Sequence, residues 1–148
     1  MADPDSSVIF QCGRIRLDRA GLRGFAGRLQ REVAAGRPFE SMIARDAELR
    51  QLNRDFLKHD YATDVLSFPS GTDTGGLGEI AISLDRARDQ AAEHGHPVDA
   101  ELQILMLHGL LHLLGMDHEN DRGRMRRAET KWRRALGLPS GLIERVMA

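Results

Sequence analysis

HGLLHLLGMDH, residues 108–118, places three imidazoles, His108, His112 and His118, in a stretch made otherwise largely of leucine. Three neutral imidazoles suit Zn²⁺ at tetrahedral distances and leave a fourth position open. An open position lets the metal hold and acidify a water, which is catalytic rather than structural zinc chemistry. A structural site is normally closed by four ligands, often thiolates, and this chain has a single cysteine, Cys12. Any one of these histidines alone reads as a hydrogen-bonded core residue. The H-x3-H-x5-H spacing with a glycine before the third is what makes them a ligand set. The expectation is one Zn²⁺ per chain, held by His108, His112 and His118. His59, His94 and His96 lack such spacing and read as surface residues.

The spacing works only if residues 98–114 are helical. At about 100° per residue, Leu102, Leu105, Met106, Leu107, Leu110, Leu111, Leu113 and Leu114 cover almost every direction. Such a helix belongs in the domain centre. His108 and His112, four apart, then share one face. Gly115 suits the C′ position and turns the chain back, so His118 closes on the pair from a loop.

The remaining elements must hold that helix. VIFQ (8–11) and RIRL (14–17) read as short strands around Cys12-Gly13. Asp18 caps a helix to about Ala35, ended by Gly36. Residues 38–44 read as a strand, and Asp46 caps a helix to about Lys58. VLSF (65–68) and EIAIS (79–83) are strands, with SGTDTGG as the turn between them. Ser83 caps a helix from Leu84 to about His94, broken by Gly95-His96-Pro97. A last helix spans about Glu119 to Leu136. Strands adjacent in sequence and intermixed with helices predict an α+β fold: a small mixed sheet packed with helices around the central histidine-bearing helix.

The chain has 148 residues, 41% hydrophobic and 29% charged, which suits one globular domain over 1–148, with 1–7 flexible. A net charge of −1 excludes a general polycation, so any nucleic-acid contact must come from a local patch. The lone cysteine has no disulfide partner and fits a reducing compartment. MADPDSS at the start lacks a signal peptide's apolar core, and the apolar run 102–116 is too short and too polar to span a membrane. The expected location is the cytoplasm.

Two family patterns compete for the histidines. The metzincin pattern H-E-x-x-H-x-x-G-x-x-H matches at His108, His112, Gly115 and His118, but its general-base glutamate is here Gly109, which disfavours a peptidase. HGLLHLLGMDH more closely resembles H-G-x-L-H-L-x-G-Y-D-H, the signature of the YbeY family of bacterial rRNA maturation endoribonucleases, with Met116 for Tyr. ATDVLSFP (62–69) resembles that family's T-D/N-V-L-S-F-P block, and GEIAIS (78–83) its G-D-I-x-I-S strand. Met125 and Glu129 also match. The resemblance implies an α+β fold and one zinc on the three histidines. It implies hydrolysis of single-stranded rRNA, maturation of the small-subunit rRNA 3′ end, and partners in rRNA and the ribosome or its small subunit. In LNRDFLKHD (52–60) the family usually has Arg where this chain has Leu57; Lys58, His59 and Arg54 are the candidates to compensate.

The general acid and base stay open. Asp117, Glu119 and Glu79 are each candidates, and each has a structural alternative as turn residue, helix-terminal charge or exposed strand residue. Residues 122–134, RGRMRRAETKWRR, hold seven basic residues and one acid. They read equally as a phosphate-contacting patch or a solvated helix face. Trp132 reads as a core anchor. By analogy with the family, Ser67 and Phe68 line the substrate groove; a core strand explains Phe68 equally. Three functions fit: a zinc ribonuclease, a hydrolase of another substrate, and a noncatalytic ribosome-assembly factor with structural zinc.

Overall fold

The computed structural model describes residues 6–57, 63–70, 76–117 and 122–139. Its elements are β1 (Ser7–Phe10), α1 (Arg19–Glu32), β2 (Glu40–Ala44), α2 (Asp46–Leu57), β3 (Val65–Pro69), β4 (Gly78–Ser83), α3 (Leu84–His94), α4 (Val98–Leu113) and α5 (Arg124–Ala135). The fold is α+β, with a four-stranded mixed sheet in the order β1-β2-β4-β3. β1–β2 and β2–β4 are parallel, and β3–β4 is an antiparallel hairpin. Parallel neighbours need crossovers, which is why α1 lies between β1 and β2 in the chain.

Side chains alternate across the sheet. Val8, Ile43, Ile80 and Ile82 join the main core with α1, α3 and α4. Ala44, Leu66 and Ala81 point the other way, against Leu49 of α2. α4 touches α1, α3, α5, β3 and β4, and eleven of its sixteen residues are buried. This is the central position its all-round apolar surface requires.

Local signals explain most boundaries. Asp18 accepts from the Gly21 amide at 2.9 Å, and Ser83 Oγ from the Arg86 amide at 3.2 Å, capping α1 and α3. Gly95 ends α3 in the left-handed region at φ +71°. Asp46, expected as a cap, is instead the first residue of α2. The amides of Glu48 and Leu49 return to the Arg45 carbonyl, while the Asp46 carboxylate accepts from the Ser83 hydroxyl. Asp85, in the first turn of α3, completes this junction. Arg45 grips it through Nε and Nη2, and it accepts the Asp46 amide at 2.8 Å. The hydrogen bonds from the Arg45 side chain and the Asp46 amide hold the Asp85 carboxyl below the usual carboxylate range.

Two expectations need correction. RIRL is not a strand: residues 11–18 are irregular, and Ile15 and Leu17 pack on the core without pairing. The N-terminal segment expected to be flexible is anchored from Ser6 onward. Ser6 is buried, its N–H and Oγ both bond Gln30 Oε1, and Ser7 opens β1. Residues 1–5 lie outside the described residues. α5 begins at Arg124, behind Gly123 at φ +83°; the expected start at Glu119 lies outside the described residues. Among the described residues, no helix is long and apolar enough to cross a membrane. Cys12 is buried and free.

Candidate metal centre

α4 carries His108 and His112 on the face toward β3 and α5. Their rings meet edge to face, with centroids 4.9 Å apart and planes at 77°. His108 Nδ1 lies 2.8 Å from Oε2 of Glu129, a residue only 1% exposed on α5. His112 Nδ1 lies 3.0 Å from the Met116 carbonyl. A carboxylate and a carbonyl only accept, so in the tautomer that suits both contacts each Nδ1 carries the proton and each Nε2 presents its lone pair. Those two Nε2 atoms are 3.2 Å apart. Two lone pairs aimed at one spot repel unless a cation lies there. Tetrahedral ligands at zinc distances stand about 3.3 Å from one another, so the spacing suits such an ion. Orientation of a ligating imidazole by a carboxylate on its other nitrogen is common at zinc sites.

His118 and Glu119 lie outside the described residues. Among the described residues, no group of three metal-donor side chains occurs. Asp117 is half-buried two residues beyond Gly115, which takes φ +90° and turns the chain after α4.

The histidines open onto a cleft of about 390 Å³, lined also by Asp64, Val65, Leu66, Ser67 and Pro69. β3 is thus its wall. Ser67 Oγ donates to the Gly109 carbonyl at 3.0 Å and ties the wall to the helix beside His108. Gly109 allows this approach. A Cβ there would stand 2.7 Å from Cγ2 of Ile80, in the sheet beneath. The position that a peptidase would give to glutamate is therefore occupied, in space, by the core.

The other candidates separate. Ser67 reaches the cleft as expected. Phe68 points to the opposite sheet face, edge-on to Phe56 at 5.9 Å between centroids. Glu79 shares that face, lining a cavity with Glu40, Met42, Leu52, Phe56 and Phe68, and is remote from the histidines. Leu57 ends α2 at 40% exposure, and Arg54 pairs with Asp55 at 3.3 Å; neither lines the histidine cleft. Lys58 and His59 lie outside the described residues. α5 turns Met125 and Glu129 inward, and Trp132 packs half-buried on the core. Four of its basic residues, Arg126, Arg127, Lys131 and Arg134, line a concavity together with Arg122, which precedes the helix. None of these residues lines the histidine cleft. His94 is exposed, but His96 is not a surface residue. Its Nε2 lies 2.6 Å from Oε1 of fully buried Glu101.

Sequence reasoning missed the Glu129–His108 contact. The signal was an acid on the apolar stripe of an otherwise basic helix, where it needs an inward partner. It also missed the reason for Gly109, which lies in Ile80 and not in the helix.

The Endoribonuclease YbeY family model matches residues 27–137. The chain belongs to the YbeY family. Endoribonuclease YbeY of Solibacter usitatus is 61% identical over 149 residues, covering all of both chains. The YbeY protein of Koribacter versatilis is 49% identical over 121 residues, 82% of this chain and 79% of its own. Among solved structures, the solution structure of TM1509 from Thermotoga maritima matches with a TM-score of 0.57 at 25% identity, over 84% of this chain and 85% of that one. The YbeY match spans α4, β3, β4 and α5, the elements that assemble the histidine cleft.

Proposed function

We propose that this chain is a zinc-dependent endoribonuclease that cuts single-stranded RNA. Its substrate would be the 3′ end of small-subunit rRNA, on the ribosome or its small subunit in the cytoplasm, with a role in ribosome quality control. The observation that carries the reading is the convergence of His108 and His112 Nε2 at the floor of an open cleft, in a chain whose relatives are named endoribonucleases. His108, His112 and His118 would hold the ion, one per chain. Bound zinc supplies a water acidified toward neutrality as nucleophile for a phosphodiester. Glu129 and the Met116 carbonyl fix the two rings, Gly109 lets the helix sit close on Ile80 of β4, and its carbonyl takes the Ser67 hydroxyl of the β3 wall. The absence of glutamate at position 109 weighs against peptide hydrolysis.

The test is cleavage of ribosomal RNA by the purified protein with zinc, with chelator, and with His112→Ala as control. Elemental analysis should give one zinc per chain, falling sharply in His108→Ala, His112→Ala and His118→Ala. Zinc-dependent cleavage lost in His112→Ala is expected. Full zinc retention in all three variants would sink the ligand assignment, and cleavage of casein but no RNA would sink the nuclease.

A further inference from the structure

The hairpin's pairing decides which backbone groups of β3 face the cleft. The Ser83 amide donates to the Asp64 carbonyl at 2.9 Å, and the Ser70 amide to the Leu77 carbonyl at 3.0 Å. With Leu66 opposite Ala81 and Phe68 opposite Glu79, these bonds set the alternation. Leu66 and Phe68 turn N–H and C=O toward β4, while Val65, Ser67 and Pro69 turn theirs outward. β3 is the edge of the sheet among the described residues, so outward means into the cleft.

The outward amides differ in use. Val65 N–H is taken by Asp64 Oδ1 at 2.8 Å. Pro69 has no N–H. Ser67 alone of the three offers a donor to the cleft. Its position is set twice, by the β4 ladder and by its hydroxyl on the Gly109 carbonyl. An oriented backbone donor beside a candidate metal is what a charged oxygen needs, because no reorganisation is required when the anion arrives.

We infer that the Ser67 backbone N–H is a phosphate-positioning donor, holding a nonbridging oxygen of the phosphodiester in the cleft next to His108 and His112. The inference rests on the nuclease reading for its ligand. It adds a contact made by the main chain, which no side-chain substitution scan would find. The Ser67 hydroxyl is already committed to the Gly109 carbonyl; it holds the strand in place and does not itself meet the phosphate.

Three proteins separate the groups. Ser67→Ala removes the hydroxyl and keeps the amide. Ser67→Pro removes the amide at a position outside the β4 ladder, as Pro69 already does two residues on. Replacing Ser67 by its α-hydroxy-acid analogue turns the amide into an ester and keeps the side chain. It carries the comparison should Ser67→Pro fail to fold. Binding of a short single-stranded RNA by the chelator-treated protein should weaken about tenfold in Ser67→Pro and in the ester protein, one charged hydrogen bond's worth. Ser67→Ala, which keeps the amide but loses the tie to Gly109, should weaken binding by less than either amide-less protein. With zinc, kcat/KM for RNA cleavage should fall about 100-fold on loss of the amide, as for other preorganised anion donors. If the amide-less proteins bind and cleave as Ser67→Ala does, the inference is overturned. If the parent binds RNA through the amide but never cleaves it, the nuclease reading fails and the donor stands. A parent that binds no RNA removes both.

Discussion

Replacing Gly109 by alanine should destabilise the protein through one contact, and the effect should reverse when that contact is removed. The new Cβ would lie 2.7 Å from Ile80 Cγ2 and 3.3 Å from both Cγ1 and Cδ1. Carbon atoms prefer about 3.5–4.0 Å. Roughly 1 Å must therefore be opened between α4 and a side chain only 1% exposed on an inner strand. Ile80 is β-branched and stiff at χ1, so it cannot swing aside cheaply. Overpacking of this kind costs about 1–3 kcal/mol. Against it stands the helix propensity of alanine over glycine, worth about 1 kcal/mol in a helix interior. The net expectation is a loss of about 1 kcal/mol. Ile80→Ala alone should lose about 2–4 kcal/mol by leaving a cavity. In the Ile80→Ala background, however, the clash is gone, and Gly109→Ala should stabilise by about 0.5–1 kcal/mol. The cycle is measured by urea unfolding of the four proteins with chelator present, so that metal linkage does not enter. A Gly109→Ala effect of the same sign and size in both backgrounds would refute the steric account.

Glu129→Gln keeps an acceptor for His108 Nδ1 but removes the charge; zinc affinity by chelator competition should fall about 10–100-fold, and an unchanged affinity would show the carboxylate to be structural. Arg126→Ala, Arg127→Ala and Arg134→Ala combined should lower the salt slope of RNA binding by at most about one unit per lost phosphate contact, with zinc content intact; an unaltered affinity and slope make the outer face of α5 a solvated surface. Asp85→Asn tests the α2–α3 junction by its pH dependence. The folded carboxyl is held below its unfolded value, so its stabilisation is present above the unfolded value, near about pH 4, and is lost as pH falls through the folded one. The melting midpoint should therefore drop by about 2 °C near neutral pH and converge with the parent in acid; an equal gap at every pH would contradict the linkage.

How far the sequence carries depends on whether a residue's environment is local. α4 was legible because its leucines point in every direction, and only a central helix can bury them all. Asp18, Ser83 and Gly95 were legible because capping is a matter of one turn. RIRL misled because apolar alternation records burial and not pairing: Ile15 and Leu17 are covered by the core with no strand beside them. Asp46 misled by one residue, since its carboxylate has a partner in Ser83, far along the chain. His96 looked like a surface residue because nothing near it in sequence shows that Glu101 is buried and needs it. The basic run after the histidines is close to them along the chain, yet its helix turns Glu129 to His108 while Arg126, Arg127, Lys131 and Arg134 line a separate concavity. The cleft wall was half legible: Ser67 and Phe68 are neighbours in a strand, and the strand's own period sends them to opposite faces.

The open edge of the sheet has a bearing on solubility. An exposed strand edge invites another strand to pair with it, the usual route to aggregation. Here β3 is five residues long and ends in Pro69, with Val65 N–H already capped by Asp64, so an incoming strand finds one amide donor at Ser67. The opposite edge, β1, is four residues long. Among the described residues, β3 thus presents an edge able to meet a single anionic oxygen yet too poor in donors to seed a fifth strand. Occupancy of the cleft would mask the Ser67 donor, so the loaded protein should tolerate higher concentration than the empty one.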